Sequence, residues 1–117
     1  MPLLHGKAER LAERRTEVSK KVSDILPKTE ILAQLAEEAL ELAQAALKLR
    51  RALDGTNPTP KSVKKCENAL IEEYADVIVC ISELNCSLEW HEDVAAMFGA
   101  KRTRWLSRLE AKEQSDE

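Results

Sequence analysis

The sequence is poor in the residues that break helices and in the aromatic residues that fill large cores. Its 117 residues include only three glycines, four prolines, two Trp, one Tyr and one Phe. So few glycines and prolines argue against a sheet-rich fold, which needs them at its many turns. The core must be built from Leu, Ile, Val and Ala, and the abundance of Ala, Leu, Glu, Lys and Arg favours helices.

Several functional signatures are missing as well. The three cysteines, Cys66, Cys80 and Cys86, form no CxxC pair, which argues against a disulfide framework and favours reduced thiols in a cytoplasmic protein. No apolar run approaches the roughly 18 residues of a membrane span, and no glycine-rich phosphate loop is present. The net charge of −3 gives no general attraction to nucleic acid. We therefore expect neither a membrane nor a nucleic acid polymer as a partner.

What the chain does contain is helical periodicity with a few clear breaks. Pro27 is the first break, and the turn-rich segment at 54–60 is the second. Nothing alternates with a period of two, so the expected fold class is all-α. Within a single domain that spans the whole chain, 1–117, the pattern predicts helices at about residues 7–25, 29–53, 60–85 and 88–111.

Two of these helices carry carboxylates inside their apolar stripes. With each residue turned by about 100° around the helix axis, Glu38 falls within the stripe of the second helix and Glu41 falls on its edge. The third helix repeats the pattern, with Glu73 inside its stripe and Asp76 on the flank. Each helix thus carries an acidic pair spaced i, i+3, and such side chains are neighbours on one helix face.

Antiparallel packing of the two helices through these stripes would bring the four carboxylates together. Buried like charges either take up protons or bind a cation, because desolvation and repulsion penalise the ionised forms. Carboxylate oxygens without a nearby His or Cys are hard ligands, which suit Mg²⁺ or Mn²⁺ rather than Zn²⁺. The pattern therefore predicts a metal site. A solvated helix edge, or acids that pair with basic groups of a second subunit, would explain the same residues.

The two acidic segments resemble a known motif. EEALE at 37–41, followed by EEYAD at 72–76, is similar to the ExxE…ExxD signature of the MazG-like all-α nucleoside triphosphate pyrophosphohydrolases. The resemblance extends from about Gln34 to Arg108 and includes the basic segment KRTRWLSRL at 101–109. It implies a four-helix bundle that works as a homodimer or homotetramer, in which more than one subunit completes the site. It also implies hydrolysis of an NTP or dNTP substrate to the monophosphate and pyrophosphate.

Carried over by position, the resemblance implies ligands for Mg²⁺, or for Mn²⁺ in its place: Glu38, Glu41, Glu73 and Asp76. The chemistry of such a site adds further roles. The first motif supplies the catalytic carboxylates, and one that is not fully used by metal, Glu37 or Glu41, would accept the proton of the attacking water. Lys101 and Arg104 of the basic segment would contact phosphate from the fourth helix.

Alternative functions stay open. Phosphoribosyl-ATP pyrophosphohydrolases have the same fold, and a non-enzymatic helical interaction module would use the acids as salt-bridge partners. A ferritin-like di-iron bundle would need Glu-x-x-His pairs, which the sequence lacks. The base is open too, because relatives that act on deoxycytidine or deoxyuridine nucleotides carry aromatic residues before the first motif. Residues 1–36 of this chain have none.

The fourth helix points to self-association. It carries an apolar stripe that a lone bundle of this length would not cover, and exposed apolar stripes are typical of interfaces between subunits. We therefore expect at least a dimer. The residues of this stripe are Trp90, Val94, Met97 and Trp105.

Overall fold

The computed structural model describes residues 20–56 and 61–116, most of which are helical. A 3-10 turn at Val22–Asp24 precedes three long helices. No strand occurs within the described ranges, which confirms the all-α prediction. None of the described helices is long and apolar enough to cross a membrane. The three helices are α1 (Lys28–Asp54), α2 (Val63–Leu88) and α3 (His91–Asp116).

The helix predicted at about 7–25 lies mostly outside the described residues. Its described end, from Lys20 onward, forms the single 3-10 turn and no α-helix. The backbone N–H of Ser23 in this turn donates to Oε2 of Glu83 on α2, at 3.2 Å. This hydrogen bond fixes the entry of the chain into α1 against the second half of α2.

Helix α1 begins and ends within one residue of its predicted bounds, 29–53. Pro27 precedes the helix in an extended conformation, and its carbonyl accepts the N–H of Glu30 at 3.0 Å. Gly55 ends the helix in the left-handed region, with φ 69°, and its N–H donates to the carbonyl of Arg51 at 2.9 Å. Glycine adopts this conformation at no steric cost, which is why it commonly follows a helix.

Helix α2 begins and ends later than the sequence pattern indicated. It starts at Val63 rather than at about 60, because Ser62 supplies the cap: its hydroxyl oxygen accepts the N–H of Lys65 at 3.2 Å. It continues past 85 to Leu88 and stops where Glu89 adopts a left-handed conformation with φ 52°. Periodicity alone does not decide between neighbouring capping residues, so such ends shift by a few residues.

Helices α1 and α2 form an antiparallel pair. Glu38 of α1 interacts with Asp76 of α2, whereas Glu41, further along α1, interacts with Glu73, further back along α2. Burial is concentrated where these two helices face each other. The buried apolar residues of the described chain are Ile31 and Ala45 on α1 and Cys66, Val77, Cys80 and Leu84 on α2.

The chain divides after Ser87 into two units, and the second contains α3. Helix α3 runs through Gly99 and past its predicted end at about 111, and it has no buried residue. The apolar stripe expected on the fourth helix is exposed: Val94, Met97 and Trp105 lie on α3, and Trp90 immediately precedes it.

Candidate metal centre

Glu38 occupies a core position of α1. Ile31 lies seven residues before it and Ala45 seven residues after it, and both of these are buried. Seven residues are close to two helical turns, so the three side chains lie along one line of the helix surface. Glu38 itself is half-buried on this line. Its position therefore follows from the same periodicity that builds the core.

Glu73 occupies the equivalent position on α2. Cys66 and Cys80 lie seven residues to either side of it, and both are buried. The side chain of Glu73 is half-buried between them. Each helix thus places one glutamate at a point of the helix–helix seam where an apolar residue would be expected.

Three carboxylates meet at this point. Glu38, Glu73 and Asp76 each offer one oxygen, and the three oxygens lie within 4.8 Å of one another. Asp76 is exposed, so the cluster is open to solvent on the side of Asp76. Oε2 of Glu38 and Oε2 of Glu73 are buried and have no hydrogen-bond partner in the described chain. Buried carboxylate oxygens without a partner are costly, and a cation in the cluster would satisfy both.

Gln34 holds the first of these carboxylates in place. Its Nε2 donates to Oε1 of Glu38 at 2.8 Å, which leaves Oε2 for another partner. This hydrogen bond is the largest influence on the pKa of Glu38 and lowers it. Burial and the charges of Asp76 and Glu41 together outweigh it, so the pKa of Glu38 is raised above its ordinary value. Gln34 was not among the residues predicted from the sequence, although its i, i+4 spacing from Glu38 was a usable signal.

Glu41, the fourth predicted ligand, lies beside the cluster rather than within it. Its carboxyl group shares a hydrogen bond with Glu73, and this bond, then the charge of Glu73 and then burial, raise the pKa of Glu41. This contact places Glu41 next to a member of the cluster. Glu37, the other predicted proton acceptor, is exposed on α1 and does not join the three carboxylates.

Cys80 lies near the cluster and is not one of its members. Burial, followed by the charges of Glu38 and Asp76, raises the pKa of its thiol. Within the described residues, the donors of the cluster are therefore oxygen atoms alone. Oxygen donors are the ligands that Mg²⁺, Mn²⁺ and Ca²⁺ prefer.

No protein-family model, curated protein or solved structure matches this chain. The geometry offers a site for a hard cation with three protein oxygens. Such a site leaves coordination positions for water and for the oxygens of a substrate.

The two predicted phosphate contacts lie elsewhere in the chain. Lys101 and Arg104 are exposed on α3, in the second unit. The three clustered carboxylates, with Gln34 and Glu41 beside them, all belong to the first unit. The first unit also has basic residues near these acids, Lys48 and Lys61, which line a cavity together with Glu41 and Glu73. These two lysines were not among the residues predicted from the sequence.

Proposed function

We propose that the protein is a Mg²⁺-dependent nucleoside triphosphate pyrophosphohydrolase, with Glu38, Glu73 and Asp76 as its metal ligands. The observation that carries this proposal is that Glu38 and Glu73 each have a buried oxygen without a hydrogen-bond partner and belong to one cluster of three carboxylates. The motif resemblance supports it independently, because its two acidic segments are the ones that supply the cluster.

The residues fit a hard divalent cation. Three carboxylates carry enough negative charge to compensate the desolvation of such an ion, and neither His nor a reactive thiol competes among the clustered side chains. When bound, Mg²⁺ would supply positive charge that neutralises phosphate oxygens and lowers the pKa of water. Mn²⁺ has the same ligand preference and is expected to replace it.

The side chains of the protein account for the remaining steps. Gln34 holds Glu38 in one orientation through its hydrogen bond. Glu41 accepts a proton from water as the water oxygen bonds to the α-phosphorus. The bond from this phosphorus to the bridging oxygen then breaks, and pyrophosphate leaves with the electron pair. Glu41 suits this role better than Glu37, because it contacts Glu73, a member of the cluster, whereas Glu37 does not join the clustered carboxylates.

The four-helix, oligomeric architecture of the MazG-like enzymes is part of this proposal. Helix α3 has no buried residue, and large apolar side chains are also exposed on α1 and α2, including Leu40, Leu47 and Tyr74. Such surfaces favour a homodimer or homotetramer. The same exposed surfaces would suit a helical interaction module, which is the second candidate function.

A substrate screen tests the proposal. The full chain is incubated with Mg²⁺ and a panel of NTPs, dNTPs and phosphoribosyl-ATP, and release of pyrophosphate is measured. We expect hydrolysis of at least one compound, abolished by a chelator. Glu38→Gln and Asp76→Asn should each lower kcat/KM by about a hundredfold or more, since several kcal/mol of charge stabilisation depend on the cation.

Glu72→Gln is the matched control. Glu72 precedes Glu73 on α2 but is exposed and lies outside the cluster, so this variant should keep wild-type activity. All variants should keep the helical circular dichroism of the wild type. Full activity in Glu38→Gln would disprove the assignment of the site. Absence of hydrolysis across the panel, together with no Mg²⁺ binding, would favour the interaction module.

A further inference from the structure

The oxygen donors of the carboxylate cluster do not by themselves distinguish Mg²⁺ from Ca²⁺, since both cations prefer oxygen. The two cations differ in their coordination. Mg²⁺ demands a near-ideal octahedron with short bonds, whereas Ca²⁺ takes more ligands at longer distances and often binds both oxygens of one carboxylate. The number of oxygens that each carboxylate can give therefore decides which of the two cations fits the cluster.

Gln34 restricts Glu38 to one of its two oxygens. Nε2 of Gln34 donates to Oε1 of Glu38 at 2.8 Å, whereas Oε2 of Glu38 is buried and has no partner in the described chain. A Glu38 carboxylate that turned both oxygens towards a cation would lose the hydrogen bond to Gln34. The oxygen that remains for a metal is therefore the buried one, Oε2.

This hydrogen bond is compatible with a bound cation. The amide group of Gln34 is an uncharged donor, so the bond needs no proton on Glu38 and persists when Glu38 is ionised. Both residues belong to α1, at i, i+4 spacing, and the side chain of Glu38 tilts towards the N-terminal turn that carries Gln34. The bond therefore depends on one helix and not on the alignment of α1 with α2.

Three single oxygens suit Mg²⁺ better than Ca²⁺. With one oxygen each from Glu38, Glu73 and Asp76, the octahedron of Mg²⁺ would keep positions for water, which this cation gives up reluctantly. The exposed side of the cluster at Asp76 gives water access to those positions. Ca²⁺ would gain from a second oxygen of a carboxylate, but the hydrogen bond from Gln34 occupies that of Glu38.

We propose that Gln34 is a positioning residue that makes the site selective for Mg²⁺ over Ca²⁺, by holding Glu38 so that only Oε2 binds the cation. This inference rests on the proposed function and identifies the residue that sets the metal preference of the same site. Gln34 acts through Glu38 and does not bind the cation itself. Hydrogen bonds to metal ligands commonly orient them in this way, and their loss changes metal affinity by about ten- to a hundredfold.

The test measures the ratio of Mg²⁺ affinity to Ca²⁺ affinity for the full chain. Each protein is loaded with Mn²⁺, and Mg²⁺ or Ca²⁺ is titrated in while the electron paramagnetic resonance signal of released Mn²⁺ is followed. We expect the wild type to prefer Mg²⁺. Gln34→Leu, which preserves helix propensity, should lower the ratio about tenfold, because Glu38 can then give both oxygens to Ca²⁺. Gln44→Leu is the matched control: Gln44 is exposed on the same helix, and this substitution leaves the hydrogen bond between Gln34 and Glu38 in place.

A second substitution separates the hydrogen bond from other effects of the side chain. Gln34→Lys keeps an N–H donor at this position, and its added charge acts on both divalent cations alike. The ratio should therefore return towards that of the wild type, although both affinities fall. A purely structural role of Gln34 would change the Tm of the metal-free protein and leave the ratio as it is, which would overturn the inference.

The outcomes distinguish this inference from the proposed function. An unchanged ratio in Gln34→Leu, or a wild type that prefers Ca²⁺, would overturn the role of Gln34 and leave the metal site intact, since Mn²⁺ still binds. A ratio that stays low in Gln34→Lys would overturn that role as well. Failure of the wild type to bind Mn²⁺ would overturn the proposed function itself. A crystal structure with Mn²⁺ bound through Oε2 of Glu38 alone would support the inference by a second route, and coordination by both oxygens would contradict it.

Discussion

Glu38 occupies a position of α1 that is unfavourable for a charged side chain. It lies on the line of α1 that Ile31 and Ala45 bury, and one of its oxygens is buried without a partner. An apolar residue there would pack without any electrostatic penalty. The penalty is relieved either by a proton or by a cation, so the stability of the protein should respond to both.

The first prediction concerns pH and metal. The pKa values of Glu38 and Glu41 are raised in the folded protein above the ordinary value of 4.5. Well below that value, both carboxyl groups are protonated in the folded and in the unfolded chain, so they carry no charge that destabilises the fold. As pH rises through 4.5, the unfolded chain ionises first, so the metal-free protein loses stability until the raised pKa values are passed. Thermal unfolding with chelator should show this decline towards neutral pH.

Mg²⁺ should reverse the decline at neutral pH, because the cation replaces the proton, and it should have little effect in acid. Glu38→Gln should raise the Tm of the metal-free protein near neutral pH and reduce the gain from Mg²⁺, since it removes both the charge and a ligand. Glu72 is an exposed neighbour of the cluster. Glu72→Gln should therefore change neither the Tm of the metal-free protein nor the gain from Mg²⁺. Parallel pH curves with Mg²⁺ and with chelator would contradict a metal site at these acids.

The clustered carboxylates could be predicted from the sequence, but the residues around them could not. Helical periodicity alone places Glu38 and Glu73 in the seam, because the face of a residue depends only on its number along the helix. The cavity that Lys48 and Lys61 line depends on how the two helices are aligned and on the small side chains that border it. Neither property follows from the pattern of one helix.

At the scale of elements, the ends of the helices are controlled by a few backbone positions. Pro27 and Gly55 are unambiguous signals, and the predicted bounds of α1 agree with the structure. The start of α2 was predicted too early, because Ser62 rather than a residue at about 60 supplies its cap. When several residues that favour helix caps lie close together, the sequence does not show which of them begins the helix, and the tertiary structure decides.

The two described glycines within or beside helices allow a matched test of backbone conformation. A Cβ atom added at Gly55 or at Gly99 would meet no other atom within 4 Å. Gly55 has φ 69°, so Gly55→Ala should lower the free energy of unfolding by about 1–2 kcal/mol. Gly99 lies inside α3, so Gly99→Ala should strengthen that helix by about 1 kcal/mol.

Urea unfolding followed by far-UV circular dichroism measures both effects. The two variants carry the same chemical change, and opposite signs are expected because only the backbone conformation differs. Shifts in the same direction would mean that Gly55 is not held in the left-handed region in solution, or that α3 is not helical around Gly99. Neither variant should alter the gain in Tm that Mg²⁺ gives, since both glycines lie outside the carboxylate cluster.

For the whole molecule, the important feature is that the helices are apolar on more than one face. Leu32, Leu40 and Leu47 of α1 are 43%, 69% and 51% exposed, and at about 100° per residue they lie on the side opposite to Glu38. Ile71, Tyr74 and Ile78 of α2 form a similar exposed stripe, away from Asp76. A helix that is apolar on two faces typically packs against other parts of a protein on both of those faces.

The last prediction is that the chain is at least a dimer at micromolar concentration, and that these outer stripes form the contact. Leu40→Glu and Ile78→Glu should each shift the sedimentation coefficient towards that of a monomer, because a charge in an apolar interface loses its hydration. Leu53→Glu is the matched control: Leu53 is 67% exposed but lies on the other side of α1, near its end. Because the carboxylate cluster is formed within one chain, dissociated variants should still bind Mn²⁺. A wild-type monomer that hydrolyses its substrate at full rate would contradict the prediction, and the outer stripes would then need a different partner.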